Sequence, residues 1–427
     1  MMKKVLLYLN KVYNNEKLLI SLIFLLSCII SVVFLVFFAN IGPEGHMALG
    51  TDYLQCYAPI AENIISGKDI ILNKEYVRCA PGYAFLLVPI FYLSDAFSLG
   101  RVPLILFFNV ILTAISAAIL FLIARNVFSK NVSLISSLLW LSYPLNQWLI
   151  KNPNSEVPFI TLLLLGTLLY MKLVNNPEDK KYAFWSGLAM GIAALVRPIG
   201  LLVPLVLIML VFFLINQPLK KKAITAFIIL LGSIVFILPW ELYALNKTGD
   251  LMPLSTGGPA TIREGFYFGA RSGAGGDKFK ASEDVMNFMA KIYSEPVVNN
   301  KSYRELAGLL WRETLNSPTA FFKLMIIKIA RSWYGTSQLW LEWRIALLQL
   351  PYLIFGTAGV FFAIKKHKEK SKQIMVLLAP IAYFWLMVVA TLSIARYMIP
   401  VMAFVAIFSA VALYHIFLEK HFKKYAT

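Results

Sequence analysis

Two long stretches without a charged residue constrain the fold of this chain more than any other feature. Residues 18–39 and 102–124 contain no Asp, Glu, Lys or Arg, and about 20 apolar residues suffice to cross the hydrocarbon core of a bilayer. The first stretch is too long for a signal-peptide core and lacks a clear small-residue cleavage site, so we interpret it as a retained anchor. Only 15% of the 427 residues are charged, against about 25% in typical soluble domains. The sequence therefore predicts an all-α polytopic membrane protein.

The basic residues indicate how the chain is oriented. The formal net charge is +18, but the lysines and arginines form short clusters between apolar runs, which is typical of cytoplasmic loops and not of a nucleic-acid surface. Placing every cluster inside predicts a multi-pass plasma-membrane protein with both termini in the cytoplasm. The predicted spans are about ten: 18–39, 102–124, 131–150, 157–171, 182–196, 198–216, 223–240, 345–364, 374–394 and 397–418.

This topology requires that the apolar stretch 81–98 does not cross the membrane. It is short and contains Pro81, Pro89 and Asp95, so we predict a re-entrant or interfacial segment. If it does cross, much of the downstream topology inverts or one basic cluster lies outside.

Three regions follow from these predictions. An N-terminal transmembrane module covers 1–240 and includes a first outer loop at 40–101. An extracytoplasmic loop region covers 241–344, with helix-like stretches near 281–293 and 302–315, and C-terminal transmembrane helices cover 345–427. The Gly-rich "GARSGAGG" at 269–276 lacks the Gly-Lys-Ser/Thr of a phosphate-binding loop, so we interpret it as part of a flexible outer loop.

Cysteines and histidines do not form a known site. Three cysteines and four scattered histidines, without a CxxC or HExxH pattern, match neither a disulfide framework nor a zinc site. Cys56 and Cys79 share the first outer loop, where an oxidising exterior permits a disulfide. The alternative is that Cys56 is a small packing residue.

Under this topology, charged residues at the edges of apolar segments collect on the outer side. They are Asp52, Arg78, Arg101, Glu156, Arg197 and Arg396. Each alone is consistent with an interfacial anchor, but such charges are costly and often functional, and several arginines facing a carboxylate form a chemical set. Guanidinium groups bind phosphate oxygens with two parallel hydrogen bonds, and a carboxylate can take a proton from an acceptor hydroxyl. Because nucleotide-activated donors are largely absent outside the cytoplasm, this chemistry suits a lipid-linked phosphate.

Short motifs at these positions resemble the GT-C membrane glycosyltransferases. They are an outer-loop Asp before a helix, then "PGY" at 81–83, "GRVP" at 100–103, "SE" at 155–156, "GLAMGIAALVRP" at 187–198 and "ARYMIP" at 395–400. The wider group includes protein O-mannosyltransferases and bacterial aminoarabinose lipid A transferases. The resemblance implies a GT-C bundle that transfers a hexose or pentose from a polyprenyl-phosphate sugar to a lipid, glycan or protein acceptor outside the cytoplasm.

The resemblance also implies roles for individual residues. Asp52 would be the catalytic base, and Arg101, Arg197 and Arg396 would bind the donor phosphate. Contacts to substrate are expected for Glu156, Arg78 and Tyr397.

Two departures from the family pattern concern metal binding and the donor sugar. Tyr53 follows the Asp where many relatives have Glu, and "RCAPG" at 78–82 replaces a Glu-Lys before a Pro-Pro pair. An acidic metal site is therefore not predicted, although a divalent metal ion is left open as a cofactor. The rival functions are a transporter or flippase of a lipid-linked sugar and a structural scaffold, but the sequence shows no internal repeat of the transporter type.

The stretch after Asp52 predicts an amphipathic helix on the membrane surface. Its apolar positions include Leu54, Ala61 and Ile65, and Gly67 can end it. The helix dipole would keep the Asp52 carboxylate ionised. The alternative interpretation is that Asp52 only caps the helix.

Overall fold

The fold is described by a computed structural model. The structure describes residues 13–38, 49–73, 77–268, 281–294, 303–336 and 339–419. The segment "GARSGAGG" and the two chain ends lie outside the described residues. Within these ranges every regular element is a helix, so the all-α prediction is confirmed.

The described residues form seventeen α-helices. In chain order they are α1 (Glu16–Phe38), α2 (Ala58–Ile65), α3 (Gly82–Phe97), α4 (Arg101–Arg125), α5 (Lys130–Ser142), α6 (Pro144–Ile150), α7 (Glu156–Asn175), α8 (Lys181–Val196), α9 (Val203–Leu214), α10 (Leu219–Thr248), α11 (Gly257–Phe268), α12 (Glu283–Ser294), α13 (Tyr303–Asn316), α14 (Pro318–Tyr334), α15 (Leu339–Lys366), α16 (Ser371–Ala390) and α17 (Ala395–Leu413).

Seven helices in the described part of the chain are long and apolar enough to cross a membrane: α1, α4, α7, α10, α15, α16 with the short turn before it, and α17 with the turn after it. The other three predicted spans are made by shorter helices. The pair α5 and α6 is interrupted at Pro144, while α8 and the segment 198–214 are only about as long as a thin bilayer requires.

Contacts at the helix termini define two ends of the bundle. At one end, which we call the basic end, the Lys130 Nζ donates to the Tyr13 carbonyl at 2.8 Å, and Lys221 pairs with Glu178 at 2.9 Å. At the other end, which we call the site end, the start of α7 meets the end of α8 and the start of α17. Over the described ranges, the helices therefore run between the two ends ten times, and the lysine-rich turns within those ranges lie at the basic end, as the sequence predicts.

Helix α3 does not run from one end to the other. Gly82, at its start, packs so closely on the backbone of Leu195 that a Cβ would lie 2.5 Å from the Leu195 carbonyl carbon. At its other terminus, Asp95 pairs with Arg101 at the start of α4. Both termini of α3 thus lie at the site end, and the segment 81–98 is a helix that stays on one side of the bundle.

The stretch after Asp52 is helical, but the apolar positions predicted to face the membrane do not all face outward. A π-helical turn, Tyr53–Tyr57, precedes α2, and Gly67 ends the helix with a φ of +66°. The extra residue of a π-turn rotates the following face, and Tyr53 and Ile60 are buried while Leu54 is 53% exposed. Leu54, predicted to lie on the apolar face toward the membrane, does face outward, whereas Ala61, predicted on the same face, is fully buried inside the protein.

A disulfide joins Cys56 to Cys79, with their Cα atoms 6.3 Å apart. Cys56 lies in the π-turn beside Asp52, and Cys79 lies just before α3. The bond fixes the Asp52 helix to the start of the interfacial helix, as one of the two sequence interpretations proposed.

The region predicted as an outer loop is largely helical. Helices α11 to α14 enclose a separate small core that includes Phe266, Phe288, Leu309 and Leu324. The helices near 281–293 and 302–315 are confirmed as α12 and α13. The interpretation as a flexible loop is wrong for the described part, because apolar residues spread over four helices pack together there.

Candidate functional site

Three of the predicted site residues meet at the site end of the bundle. Glu156 is the first residue of α7, Arg197 follows α8 where Pro198 interrupts the helix, and Arg396 lies in the first turn of α17. The Arg197 guanidinium is 2.8 Å from the Glu156 carboxylate oxygen Oε1, and the Arg396 Nε donates to the same oxygen. One carboxylate thus holds two arginines that are about 200 residues apart in sequence.

The three side chains differ sharply in exposure. Only 1% of the Glu156 side chain is exposed, against 14% for Arg197 and 41% for Arg396. Glu156 Oε2 is buried and accepts no hydrogen bond from a described residue. The carboxylate is therefore buried inside the protein, while the two arginines that it holds are partly exposed. The cluster of two guanidiniums and one carboxylate has a formal charge of +1.

Aromatic and hydroxyl side chains surround this cluster. The Arg197 Nη1 donates to the Ser155 Oγ at 3.1 Å, and the Arg197 guanidinium carbon lies 5.3 Å from the centre of the Tyr397 ring. Tyr57, from the first-loop helix, donates to the Ser155 Oγ at 3.5 Å. The first loop is thereby connected to the arginine cluster.

Asp52 belongs to a separate ion pair near the cluster. Its carboxylate accepts from the Arg78 Nη2 at 2.9 Å, and Arg78 also donates to the Gln55 side chain at 2.7 Å. Both members of the pair are exposed, and Asp52 interacts electrostatically with Arg396. Asp52 makes no capping hydrogen bond to its helix, so its partner is an arginine and not the helix terminus.

Arg101 is placed with other partners. It pairs with Glu62 at 2.5 Å and with Asp95 at 3.5 Å, and its guanidinium carbon lies 4.3 Å above the Phe91 ring. Two carboxylates already neutralise its charge, and it is not among the residues that gather around Glu156. The structure therefore gives Arg101 a role in joining α2, α3 and α4.

Sequence reasoning did not identify the residues that hold the turn before Arg396. The Lys328 Nζ, on α14, donates to the Thr391 carbonyl at 2.9 Å, and the Ala395 backbone N–H donates to the Gly335 carbonyl at 2.8 Å. Gly265, on α11, lies so close that a Cβ there would be 1.7 Å from the Thr391 oxygen. Helix α11 and the α14 segment that ends at Gly335 thus dock on residues 391–395, immediately before Arg396.

Lys328 is the most unusual of these residues. Its side chain is fully buried, and the ammonium position lies 4.4 Å from the centre of the Phe266 ring. Burial in this apolar setting lowers the pKa of Lys328 to about 7. The sequence feature that could have identified Lys328 is a single lysine within the apolar run "LMIIKIA" at 324–330.

Metal-binding side chains do not cluster in the described part of the chain. No group of three or more His, Cys, Asp or Glu side chains there is arranged to hold an ion. In the site, the carboxylates of Asp52 and Glu156 are each engaged by arginines.

Comparisons with known proteins agree with this architecture. Residues 81–242, less than half of the chain, match the family model of the dolichyl-phosphate-mannose-protein mannosyltransferases. No curated protein gives a significant sequence match.

Solved structures show the same fold over nearly all of the chain. The archaeal oligosaccharyltransferase AglB from Archaeoglobus fulgidus, in complex with an inhibitory peptide and a dolichol-phosphate, aligns with a TM-score of 0.58 and 15% identity over 96% of this chain. The apo form of the Archaeoglobus fulgidus enzyme aligns with a TM-score of 0.60 and 16% identity over 95% of this chain.

This chain spans about half of each of those structures, 52% and 51% respectively. ArnT from Cupriavidus metallidurans bound to undecaprenyl phosphate shares 14% identity over 91% of this chain and 77% of its own, with a TM-score of 0.42 that is too low to support a shared fold. The family model and the fold together confirm the resemblance drawn from the motifs: this chain has the fold of the GT-C superfamily of membrane glycosyltransferases.

Proposed function

We propose that this protein transfers a sugar from a polyprenyl-phosphate sugar to an acceptor on the extracytoplasmic side of the plasma membrane. The observation that carries the proposal is the convergence of Arg197 and Arg396 on the buried carboxylate of Glu156, next to the Asp52 loop. In the GT-C fold, this arrangement supports a donor phosphate at the arginines and an acceptor at Asp52. The donor sugar is proposed to be a hexose or pentose.

The charge of the cluster favours a bound phosphate. Two guanidiniums and one carboxylate leave one positive charge unbalanced, and the more exposed Arg396 has donors that are not engaged by Glu156. Charge-assisted hydrogen bonds from arginine to phosphate are among the strong ones in proteins. The same groups would stabilise the negative charge that grows on the phosphate as it leaves.

Asp52 is proposed to act as the general base. The acceptor hydroxyl gives its proton to the Asp52 carboxylate, and its oxygen bonds to the anomeric carbon of the donor sugar. The bond from that carbon to the phosphate oxygen breaks, and polyprenyl phosphate leaves with the electron pair. Because the acceptor attacks from the side opposite the phosphate, the anomeric configuration is inverted. Arg78, paired with the Asp52 carboxylate at 2.9 Å, would hold Asp52 in place until the acceptor binds.

Glu156 receives a different role from the predicted contact with sugar or acceptor. Its carboxylate is almost completely buried below the arginines, so we propose that it positions Arg197 and Arg396. Tyr397, against the Arg197 guanidinium, would contribute to the same arrangement.

The flippase alternative receives no support from the placement of these groups. Transporters bind their substrates near the middle of the membrane, whereas the described arginine cluster lies at helix termini at one end of the bundle.

A transfer assay separates the two functions. Purified protein in lipid nanodiscs would be supplied with synthetic polyprenyl-phosphate hexoses and pentoses, and release of polyprenyl phosphate would be followed. We expect the proposed activity to generate polyprenyl phosphate from at least one donor. Intact donors in nanodiscs, together with movement of the same donors between leaflets of proteoliposomes, would instead identify a flippase.

A further inference from the structure

Helix α14 has a buried face and an exposed apolar face. The buried face, with Ala320, Leu324 and Lys328 at spacings of four residues, packs against the small core of α11 to α14 and the turn before Arg396. The opposite face presents Phe322, Ile326 and Ile329, at positions i, i+4 and i+7. We call these three residues the outer stripe.

The outer stripe is strongly exposed in the described structure. Phe322 is 64% exposed and Ile326 is 67% exposed. A helix surface in water normally has polar residues at such positions, and an apolar patch of this kind marks contact with a partner or a membrane. The composition of the stripe therefore indicates that it does not face water.

The surface next to the outer stripe belongs to a membrane span. The Trp385 indole N–H, on α16, donates to the Ser332 Oγ at 3.1 Å and approaches the Ile329 carbonyl at 3.4 Å. Helix α16 is one of the candidate spans, and its neighbouring Leu386 is 71% exposed. The outer stripe is thus continuous, through Trp385, with the exposed apolar surface of a candidate membrane span.

The residues at the junction are typical of the membrane–water boundary. The Trp333 and Trp385 rings lie 5.7 Å apart where α14 meets α16, and tryptophan is enriched at the headgroup level of membranes. On the flank of α14, the polar pair Lys323–Asp284 at 2.9 Å remains exposed. Apolar residues on one side and an exposed ion pair on the flank match a helix that lies in the plane of the interface.

We propose that α14 rests on the outer leaflet of the membrane, with Phe322, Ile326 and Ile329 inserted at the level of the lipid headgroups and upper acyl chains. The partner of this surface is the lipid bilayer. Because the other face of α14 holds the turn before Arg396 through Lys328, the membrane surface would fix the height of the arginine cluster.

Site-directed fluorescence in membranes tests this proposal. In full-length protein with Cys28→Ser and an oxidised Cys56–Cys79 bond, a fluorophore sensitive to polarity would be attached at Ile326→Cys. The matched control is Asn287→Cys, an exposed position on α12. Both proteins would be reconstituted in phosphatidylcholine vesicles, with or without a phosphatidylcholine that bears a nitroxide near the top of its acyl chain. Phe322→Cys provides a second position if Ile326→Cys is poorly folded.

The proposal predicts several-fold stronger quenching by the lipid nitroxide at 326 than at 287, with a blue-shifted emission at 326. Iodide in the aqueous phase should quench the probe at 287 and spare the probe at 326. Equal quenching of both probes by iodide would overturn the proposal, because the stripe would then face water. Protection of position 326 from both quenchers would also overturn it, because a protein surface would then cover the stripe.

Discussion

At the scale of single residues, the charge of Glu156 organises the site. Two arginines placed close together repel each other, and a buried carboxylate between them removes most of that cost. Because Glu156 uses the same oxygen for both arginines and is itself buried, it fixes their positions without occupying the space above them. In the proposed function, the two arginines would therefore be in position to bind the donor phosphate before the donor arrives.

Replacing Arg396 with Ala should weaken donor binding. Loss of a charge-assisted contact to phosphate costs roughly 1.5–3 kcal/mol, or about 10- to 150-fold in affinity. Arg396→Lys should recover only part of the affinity, because the ammonium lacks the planar fork. Binding of a polyprenyl-phosphate sugar can be measured by titration of the purified protein. Arg125→Ala is the matched control, since Arg125 is equally exposed but lies at the basic end; equal donor affinity in both Ala variants would remove Arg396 from the site.

Replacing Glu156 with Gln should destabilise the protein. Gln keeps the shape but removes the charge that both arginines need, and breaking a buried ion pair costs about 3–5 kcal/mol. At the basic end, the exposed pair Glu178–Lys221 is the control, because Glu178→Gln removes only a solvent-screened contact and should change the unfolding midpoint little. Thermal unfolding of both variants in the same detergent tests the difference. Similar midpoints for the two variants would contradict the central role of Glu156.

At the scale of elements, α11 and α14 are attached to the site end through close backbone contacts. Gly265 of α11 and Gly335 at the end of α14 both approach the turn 391–395. The helices themselves are predictable, because α12 and α13 have helical periodicity in the sequence. Their joint core and the burial of Lys328 are not predictable, since both depend on apolar residues from four separate segments meeting in space.

A side chain at Gly265 should disturb the site without changing the transmembrane fold. A Cβ there would collide with the Thr391 carbonyl, which is backbone and cannot rotate away. Gly265→Ala should therefore lower the rate of transfer by displacing the turn that leads to Arg396, while the yield in the membrane stays normal. Gly308→Ala on α13 is the control, because nothing lies within 4 Å of its Cβ position. The measurement is the steady-state transfer rate of the two variants. Equal rates would show that the contact of α11 with the turn 391–395 does not affect transfer.

At the scale of the whole molecule, the path of the chain could be predicted from the basic residues. The predicted spans and the non-crossing stretch 81–98 correspond to the observed helices, because long apolar runs and lysine clusters are local signals. For the candidate site, the sequence predicts which charged residues lie on the same side of the membrane, but not which of them pair with each other. The pairing of Glu156 with Arg197 and Arg396, and of Arg101 with Glu62, depends on helix packing over long sequence distances and has no local signal.

The orientation in the membrane remains a prediction that labelling can test. In a Cys28→Ser background, a membrane-impermeant maleimide added outside intact cells should react with single cysteines at Asp250 and Asn287. It should not react with cysteines at Lys220 or Lys368, which are exposed at the basic end. Labelling after the cells are opened confirms that all four positions are accessible. Labelling of position 368 from outside intact cells would contradict the prediction that the basic end faces the cytoplasm.

The most direct test of the proposed mechanism is the Asp52→Asn variant. Asn is nearly isosteric but cannot take a proton from a hydroxyl, so turnover with saturating donor and acceptor should fall by about 10²–10⁴-fold. Donor affinity and the unfolding midpoint should change little, because Asp52 belongs to an exposed pair with Arg78 apart from the Glu156 cluster. The measurement is single-turnover release of polyprenyl phosphate by wild-type and variant protein, with donor binding titrated on the same samples. A folded Asp52→Asn protein that binds donor and retains most of the wild-type rate would contradict the assignment of Asp52 as the base.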